Sequence, residues 1–392
     1  MKHINILLVN VLVLISIFFS VNVMSQHTYG SIYTNGAYIN FIQAENKTED
    51  AVIVMVPGLN LSTYLYATTP DGRKGWAELF ADNGYDVFMV NDPKHDFATG
   101  GFVAPYTVPS GGPGPSPQAA QGWQTDIWRR WGFGLSQGNP YTNAQFPTNF
   151  FNVFAQNYPF IGTSNQSFAG AIEAVIDLTE SNVWLLAHSA GAGHAVTAAR
   201  EKNDLVKGLI LIEPAGPPDT DDFPDLNGMH MLGVYGDFII SRNQASRKLA
   251  TEAAAILFQN AGGISEVVSL PEDYAIFGNS HILMQDLNCE FIFNIIEYWL
   301  SQFSSTLDIE SNFYNQIEIN LYPNPATNEV WIDNKLFNNQ EYSIYSMDGR
   351  LLRESTVINQ KIDLSDIANG LLFVKLKYNK QVIMKKIIKI GL

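Results

Sequence analysis

The sequence predicts an α/β protein, a largely parallel sheet with helices on both faces, followed by a small all-β sandwich. Three observations point there. From about residue 28 to 303, apolar runs of strand length alternate with runs of helix length, the pattern of a sheet built from strand–helix crossovers. After Phe303 this alternation gives way to short strands punctuated by turn signals such as Asp348-Gly349 and Asn369-Gly370. The charge balance shifts at the same place. From residue 312 on, ten Lys and Arg meet eight Asp and Glu, whereas the whole chain carries −15.

The elements follow in order. Lys2 and His3 precede the apolar run Ile4 to Phe19, and Val23 and Ser25 stand where a processing enzyme reads small residues. Residues 1–25 therefore read as a secretory signal, since the apolar run is shorter than a full membrane span. The larger domain is expected over 26–303. It opens with a meandering strand pair over 29–43, a buried strand Ala51–Val56 ending in Pro57-Gly58, a helix Gly75–Asn83 and a strand Asp86–Asn91. After an insert come a helix Gly170–Thr179, a strand Val183–Leu186 and a helix Ala192–Arg200. Strands Val206–Glu213 and His230–Tyr235 follow, then a helix Arg242–Asn260, a strand Glu266–Leu270 and an amphipathic helix Asp286–Phe303. Residues 304–316 read as a linker. The sandwich, 317–392, is expected to hold strands at 318–322, 329–332, 342–346, 361–364, 371–378 and 381–388.

The insert, about 93–168, combines Gly111-Gly112-Pro113-Gly114-Pro115-Ser116-Pro117 with many aromatics, among them Trp123, Trp128, Trp131, Phe133, Phe146, Phe151 and Phe154. A long irregular stretch inside a compact domain is usually functional, and a lid over the site is the expectation. A satellite hydrophobic core is the equal alternative.

Composition narrows the function classes. With 392 residues, 46% hydrophobic and 16% charged, the chain has enough apolar material for a large domain and a small one. A net charge of −15 excludes nucleic acid as a partner, because phosphate binding needs a basic face. The single cysteine, Cys289, permits no internal disulfide and reads as a small buried hydrophobe. Asp219-Thr220-Asp221-Asp222 with Asp225 bunches hard oxygen donors, but the spacing is no calcium loop and a solvated turn is expected. No metal or cofactor is expected.

The chemistry centres on Ala187-His188-Ser189-Ala190-Gly191, between a buried-looking strand and a helix with a small-residue face. A strand, a sharp turn on serine and a helix make the nucleophile elbow of α/β-hydrolases, with Ala187 in place of the usual first glycine. A serine hydroxyl needs a base to take its proton and a carboxylate to orient that base. In this chain order the base follows the last strand, and of seven histidines only His281 lies in that loop. Two carboxylates can serve as acid. Glu213 ends a wholly apolar strand, where an idle charge would be costly. Asp237 follows the next strand, the more usual position. Residue type and placement leave the two open.

Thr69-Pro70-Asp71-Gly72-Arg73-Lys74-Gly75-Trp76, the elbow, Ile212-Glu213-Pro214 and Asn279-Ser280-His281-Ile282-Leu283-Met284-Gln285-Asp286 together resemble the esterase 713-like group of secreted α/β-hydrolases, over roughly residues 50–300. The resemblance implies Ser189 as nucleophile, Glu213 as acid and His281 as base, with Asp237 a turn residue or helper. The oxyanion hole is assigned to the backbone N–H groups of Ala190 and Leu59, although Pro57-Gly58 stands where the group often has His-Gly. Arg129 and Trp131 are expected to shape the substrate pocket, with a surface ion pair and aromatic packing as the equal alternative.

The tail contains Leu321-Tyr322-Pro323-Asn324-Pro325-Ala326, then Tyr342-Ser343-Ile344-Tyr345-Ser346-Met347-Asp348-Gly349-Arg350, and ends in Lys385-Lys386-Ile387-Ile388-Lys389. It resembles the C-terminal sorting domain of the type IX (Por) secretion system, which implies outer-membrane secretion machinery as a partner and a secreted or cell-surface location. The expected function is a secreted serine carboxylesterase acting on a small-molecule or polymer ester. Its activity should fall below roughly pH 6–7 as His281 protonates. A lactonase or peptidase with the same triad, or a catalytically idle surface-binding module, is the alternative. The sequence says nothing about oligomeric state.

Overall fold

A computed structural model of the protein describes residues 27–59, 61–95, 127–155, 166–303, 319–346, 349–378 and 381–391. The expected signal, 1–25, and linker, 304–316, lie outside them, as does much of the insert.

The chain begins with an antiparallel hairpin, β1 (Thr28–Thr34) and β2 (Ala37–Gln43), closed by Asn35-Gly36 with both residues at positive φ. Strand β3 (Val52–Val56) leads into the short helix α1 (Tyr64–Ala67). Helix α2 (Trp76–Asp82) precedes β4 (Val87–Val90). The described part of the insert holds a small hairpin, β5 (Gly134–Ser136) with β6 (Asn139–Pro140), and one helical turn, α3 (Phe151–Phe154). Helix α4 (Phe168–Thr179), capped by the Ser167 side chain, then leads to β7 (Val183–His188) and helix α5 (Gly191–Glu201). Strands β8 (Val206–Ile212) and β9 (His230–Tyr235) come next, followed by helix α6 (Ala245–Asn260) and β10 (Ile264–Ser269). The domain closes with α7 (Leu270–Tyr274) and α8 (Cys289–Ser301).

The sheet order is β1-β2-β4-β3-β7-β8-β9-β10, antiparallel at β1–β2 and β2–β4 and parallel from β4 to β10. Side chains alternate across a strand, so each central strand feeds two cores. Ile53 and Met55 of β3, with Trp184 and Leu186 of β7, join α2 and α8 on one face. Val52, Val54, Leu185 and Ala187 join α4, α5 and α6 on the other. That two-sided burial explains the unbroken apolar strands, and it leaves the ends of the strands as the place for polar chemistry.

Three features depart from the sequence expectation. The insert aromatics Trp128, Trp131, Phe133, Phe146, Phe151 and Phe154 are buried in the main core rather than in a separate cluster, with Phe133 stacked on Phe146 at 3.7 Å. Helix α6 begins at Ala245, so Arg242 lies in the loop before it. The tail contains a strand the spacing did not suggest. Its elements are β11 (Leu321–Tyr322), β12 (Glu329–Ile332), β13 (Glu341–Ser346), β14 (Leu351–Thr356), β15 (Lys361–Asp363), β16 (Gly370–Tyr378) and β17 (Gln381–Lys389). The unforeseen β14 is the exposed edge of the sheet β14-β13-β16-β17, which explains its weak apolar pattern. A second sheet, β11-β12-β15, completes the sandwich around Val330, Ile332, Ile344, Ile362 and Val374. The first sheet also packs on α8, where Phe291 meets Phe373 at 5.1 Å and Asn294 Nδ2 donates to Tyr345 Oη at 2.9 Å. Helix α8 is thus covered on two sides, and ten of its thirteen residues are buried.

Candidate active site

Ser189 sits at the end of β7 with φ +51, in the left-handed region that a serine rarely adopts. Its neighbours hold that strain: Ser189 N–H donates to Ile212 O at 3.0 Å, and Ser189 O accepts from Ala215 N at 2.9 Å and Ala192 N at 3.2 Å. The turn also requires Gly191, because a Cβ there would stand 2.4 Å from Pro57 O. Ala187 is buried within β7 and takes the usual glycine position without difficulty.

His281 Nε2 lies 3.1 Å from Ser189 Oγ, and its Nδ1 lies 2.6 Å from Glu213 Oε2. Serine, histidine and glutamate therefore form one continuous hydrogen-bonded line. Glu213 follows β8 at φ +43, a second left-handed residue, with its N–H tied to Val234 O at 2.9 Å. Asp237 stands elsewhere. Its Oδ2 accepts from Gly278 N at 2.8 Å and its Oδ1 from Phe238 N at 2.6 Å, so it shapes the turn beside the base loop.

Glu213 is also gripped from behind. Arg242 Nη1 donates to Oε2 and Nη2 to Oε1, both at 2.7 Å, while Gly236 N–H donates to Oε1 at 2.8 Å. The Arg242 side chain is 0% exposed and its remaining reach goes to Asp237 O, from Nε at 3.2 Å and Nη2 at 2.9 Å. Burial alone would raise the Glu213 carboxyl, but the charge of Arg242 and the bond to His281 outweigh it and hold it at about 2. Burial lowers His281 below its ordinary value, with the Glu213 bond acting against that shift.

The loop carrying the base is pinned by buried polar groups. Asp286 is 0% exposed and accepts from Asn279 Nδ2 at 2.9 Å, Ser280 N at 2.8 Å and Ser280 Oγ at 2.7 Å. Burial pushes its carboxyl up to about 7 despite those bonds. The Nε2 of His188 reaches His281 O at 3.0 Å. A carbonyl only accepts, so Nε2 carries the proton. Among the described residues the buried Nδ1 has no partner, and burial drives His188 well below its ordinary value, so it is neutral.

The other expected residues divide. Gly58 brings the β3 loop against the nucleophile, since a Cβ there would lie 3.0 Å from Ser189 Cβ. Among the described residues, the N–H groups of Leu59 and Ala190 donate to nothing else in the chain. Trp131 is buried beside the base, its ring 6.2 Å from that of His281 and its carbonyl accepting His281 N–H at 2.8 Å. Arg129 is exposed. In the acidic turn Asp222 and Asp225 pair with Arg200 at 2.7 and 3.1 Å. Among the described residues no group of three His, Cys, Asp or Glu could hold a metal, and no helix is long and apolar enough to cross a membrane.

The model of the α/β hydrolase fold matches residues 51–255, just over half of the chain. The chain belongs to the α/β-hydrolase fold family. This α/β-hydrolase also carries a secretion system C-terminal sorting domain, matched over residues 320–390. A curated relative, "Probable secreted lipase phiG" of Fungal sp. (strain ATCC 74256), is 25% identical over 224 residues, covering 49% of this chain and 54% of the relative. The chain thus spans about half the length of that relative. A solved bacterial esterase superposes with a TM-score of 0.56 at 21% identity, covering 70% of this chain and 93% of the other, a likeness of fold.

Sequence reasoning missed Arg242 and the inward role of His188. A signal for the first existed. A carboxylate at the end of an apolar strand needs a buried cation, and Arg242 stands five residues after Asp237 in the next strand-end loop. Nothing in the sequence marks His188, because its partner is a backbone carbonyl 93 residues away.

Proposed function

We propose that this α/β-hydrolase is an exported serine carboxylesterase. The observation that carries the reading is the line Glu213 Oε2–His281 Nδ1, 2.6 Å, and His281 Nε2–Ser189 Oγ, 3.1 Å, ending on a serine in the left-handed turn. Ser189 Oγ attacks the ester carbonyl as His281 Nε2 takes its proton. Glu213 holds Nδ1–H and stabilises the imidazolium. The carbonyl oxygen becomes an oxyanion, which the N–H groups of Leu59 and Ala190 are free to bind. His281 returns the proton to the leaving alcohol, and water then hydrolyses the acyl-enzyme by the same steps reversed.

The lipase relative and the esterase neighbour support an ester as substrate. The sorting domain supports type IX export to the cell surface or beyond, after a signal at 1–25. Of the expected lid over 93–168, residues 96–126 and 156–165 lie outside the described residues, and within the rest Trp131 is the wall beside His281.

The test is Ser189→Ala with p-nitrophenyl esters, alongside labelling of the unmodified chain by a fluorophosphonate. Turnover should vanish and the label should land on Ser189. Undiminished turnover, or a label elsewhere, overturns the reading.

A further inference from the structure

We propose that Arg242 acts through Glu213 as a positioning residue of the triad, and that its buried charge keeps His281 a competent base under mildly acidic conditions. The inference rests on the triad reading above.

The first part follows from geometry. A carboxylate has two oxygens, and both of those on Glu213 are taken by Arg242 at 2.7 Å in a fork-to-fork pair. The guanidinium is itself fixed by two bonds to Asp237 O. The carboxylate plane is therefore set by a group anchored to the next loop, and Oε2 can face only His281 Nδ1. A lysine in this place would supply charge but not the planar fork. The cation has no other role among the described residues, for its side chain is sealed from solvent and pairs with no other carboxylate.

The second part follows from charge. Where a carboxylate stands alone beside the base, it stabilises the imidazolium fully and raises the pH at which the base is lost. Here Glu213 and Arg242 sum to zero, so the imidazolium meets a compensated pair. The surroundings reinforce this. Arg247, at the start of α6, adds positive charge. His188, its ring tilted against that of His281 at 4.6 Å between centroids, is neutral. Asp237 is turned to Gly278 N and Phe238 N. Asp286, on the base loop, is pushed up to about 7 and so is largely uncharged in acid. Arg129 and Arg130, on the turn that carries Trp131, are exposed to solvent. Glu213 is then the one anion bonded to His281, and Arg242 offsets it.

The test compares Arg242→Met and Arg242→Lys with the unmodified chain by pH profiles of kcat/KM on a soluble ester. In Arg242→Met the acid limb should move up by about one pH unit. In Arg242→Lys the limb should stay near its original place while kcat falls about tenfold with KM little changed, because the fork is lost and the charge kept. An unmoved limb in Arg242→Met overturns the proposal, even if activity is lower, since a merely structural role would not shift the profile. If Arg242→Met does not fold, the same profile is read in Arg242→Gln. An acid limb that rises by about one pH unit there upholds the proposal, and an unmoved limb overturns it. The triad reading fails separately: it falls if Ser189→Ala still turns over ester, whatever Arg242 does.

Discussion

The two sides of His281 are built differently. On the acid side, Glu213, Arg242, Gly236 and Asp237 form a network in which both carboxylate oxygens are bonded and the guanidinium makes four hydrogen bonds. On the nucleophile side, Ser189 is partly exposed, its bond to the base is the longer at 3.1 Å, and the two nearby N–H groups are left free. On the proposed reading, the Glu213 side is finished before substrate arrives, whereas the Ser189 side is completed by it. The contrast teaches where rigidity belongs in such a site. Groups that keep their charge throughout are buried and paired, and groups that gain charge in the transition state face donors held in reserve. Both sides share one device: Ser189 and Glu213 are each in the left-handed region, at a strand end whose neighbours hold the strain.

Substitutions can break this contrast, and the largest effect belongs to the open side. Ser189→Ala should lower kcat by roughly 10⁴-fold or more, as measured by steady-state ester hydrolysis. On the closed side, Glu213→Gln should cost about 10²- to 10⁴-fold in kcat, and Asp237→Asn less than about tenfold, since its bonds go to backbone N–H groups. The reverse order would move the acid to Asp237. Between the two sides, His188→Phe should lower kcat about tenfold with KM little changed. It removes the donor to His281 O and leaves a buried carbonyl unpaired. Wild-type kinetics in that variant would show that the base loop needs no such tether.

The smallest effect is one of stability. Glu213 is held at about 2, below its ordinary 4.5. Its contribution is therefore present above pH 4.5 and is lost as pH falls toward 2. Asp286 behaves oppositely. Its folded form keeps a proton up to about 7 where the unfolded chain loses it near 3.8, so the fold weakens as pH rises through that window. Thermal melts between pH 4 and 8 should show that slope, and Asp286→Asn should flatten it whatever it does to the midpoint itself. Equal slopes in both chains would remove Asp286 from the account.

The expectation that activity fades below roughly pH 6–7 assumed a base of ordinary strength. Burial lowers His281 under 6.5, so the limb is expected below that value. The aromatic insert needed the same kind of correction. Trp128, Phe133 and Phe154 pack ring to ring with Phe146 and Phe151, and that group is continuous with the main core.

By itself the sequence determined the α/β and all-β parts, the turn at Ser189 and the loop that carries His281. Those features live in local periodicity, turn chemistry and chain order, which tertiary contacts do not overrule. Residue type and placement left Glu213 and Asp237 open, because each ends a strand and only side-chain direction separates them, and the family resemblance alone pointed to Glu213. Tertiary structure turned Glu213 toward His281 and Asp237 toward Gly278, brought Arg242 out of its expected helix onto Glu213, and set His188 against the His281 carbonyl. Each of those contacts joins loops far apart in the chain at the ends of neighbouring strands. Their pairing depends on sheet order and backbone strain, which no local pattern encodes.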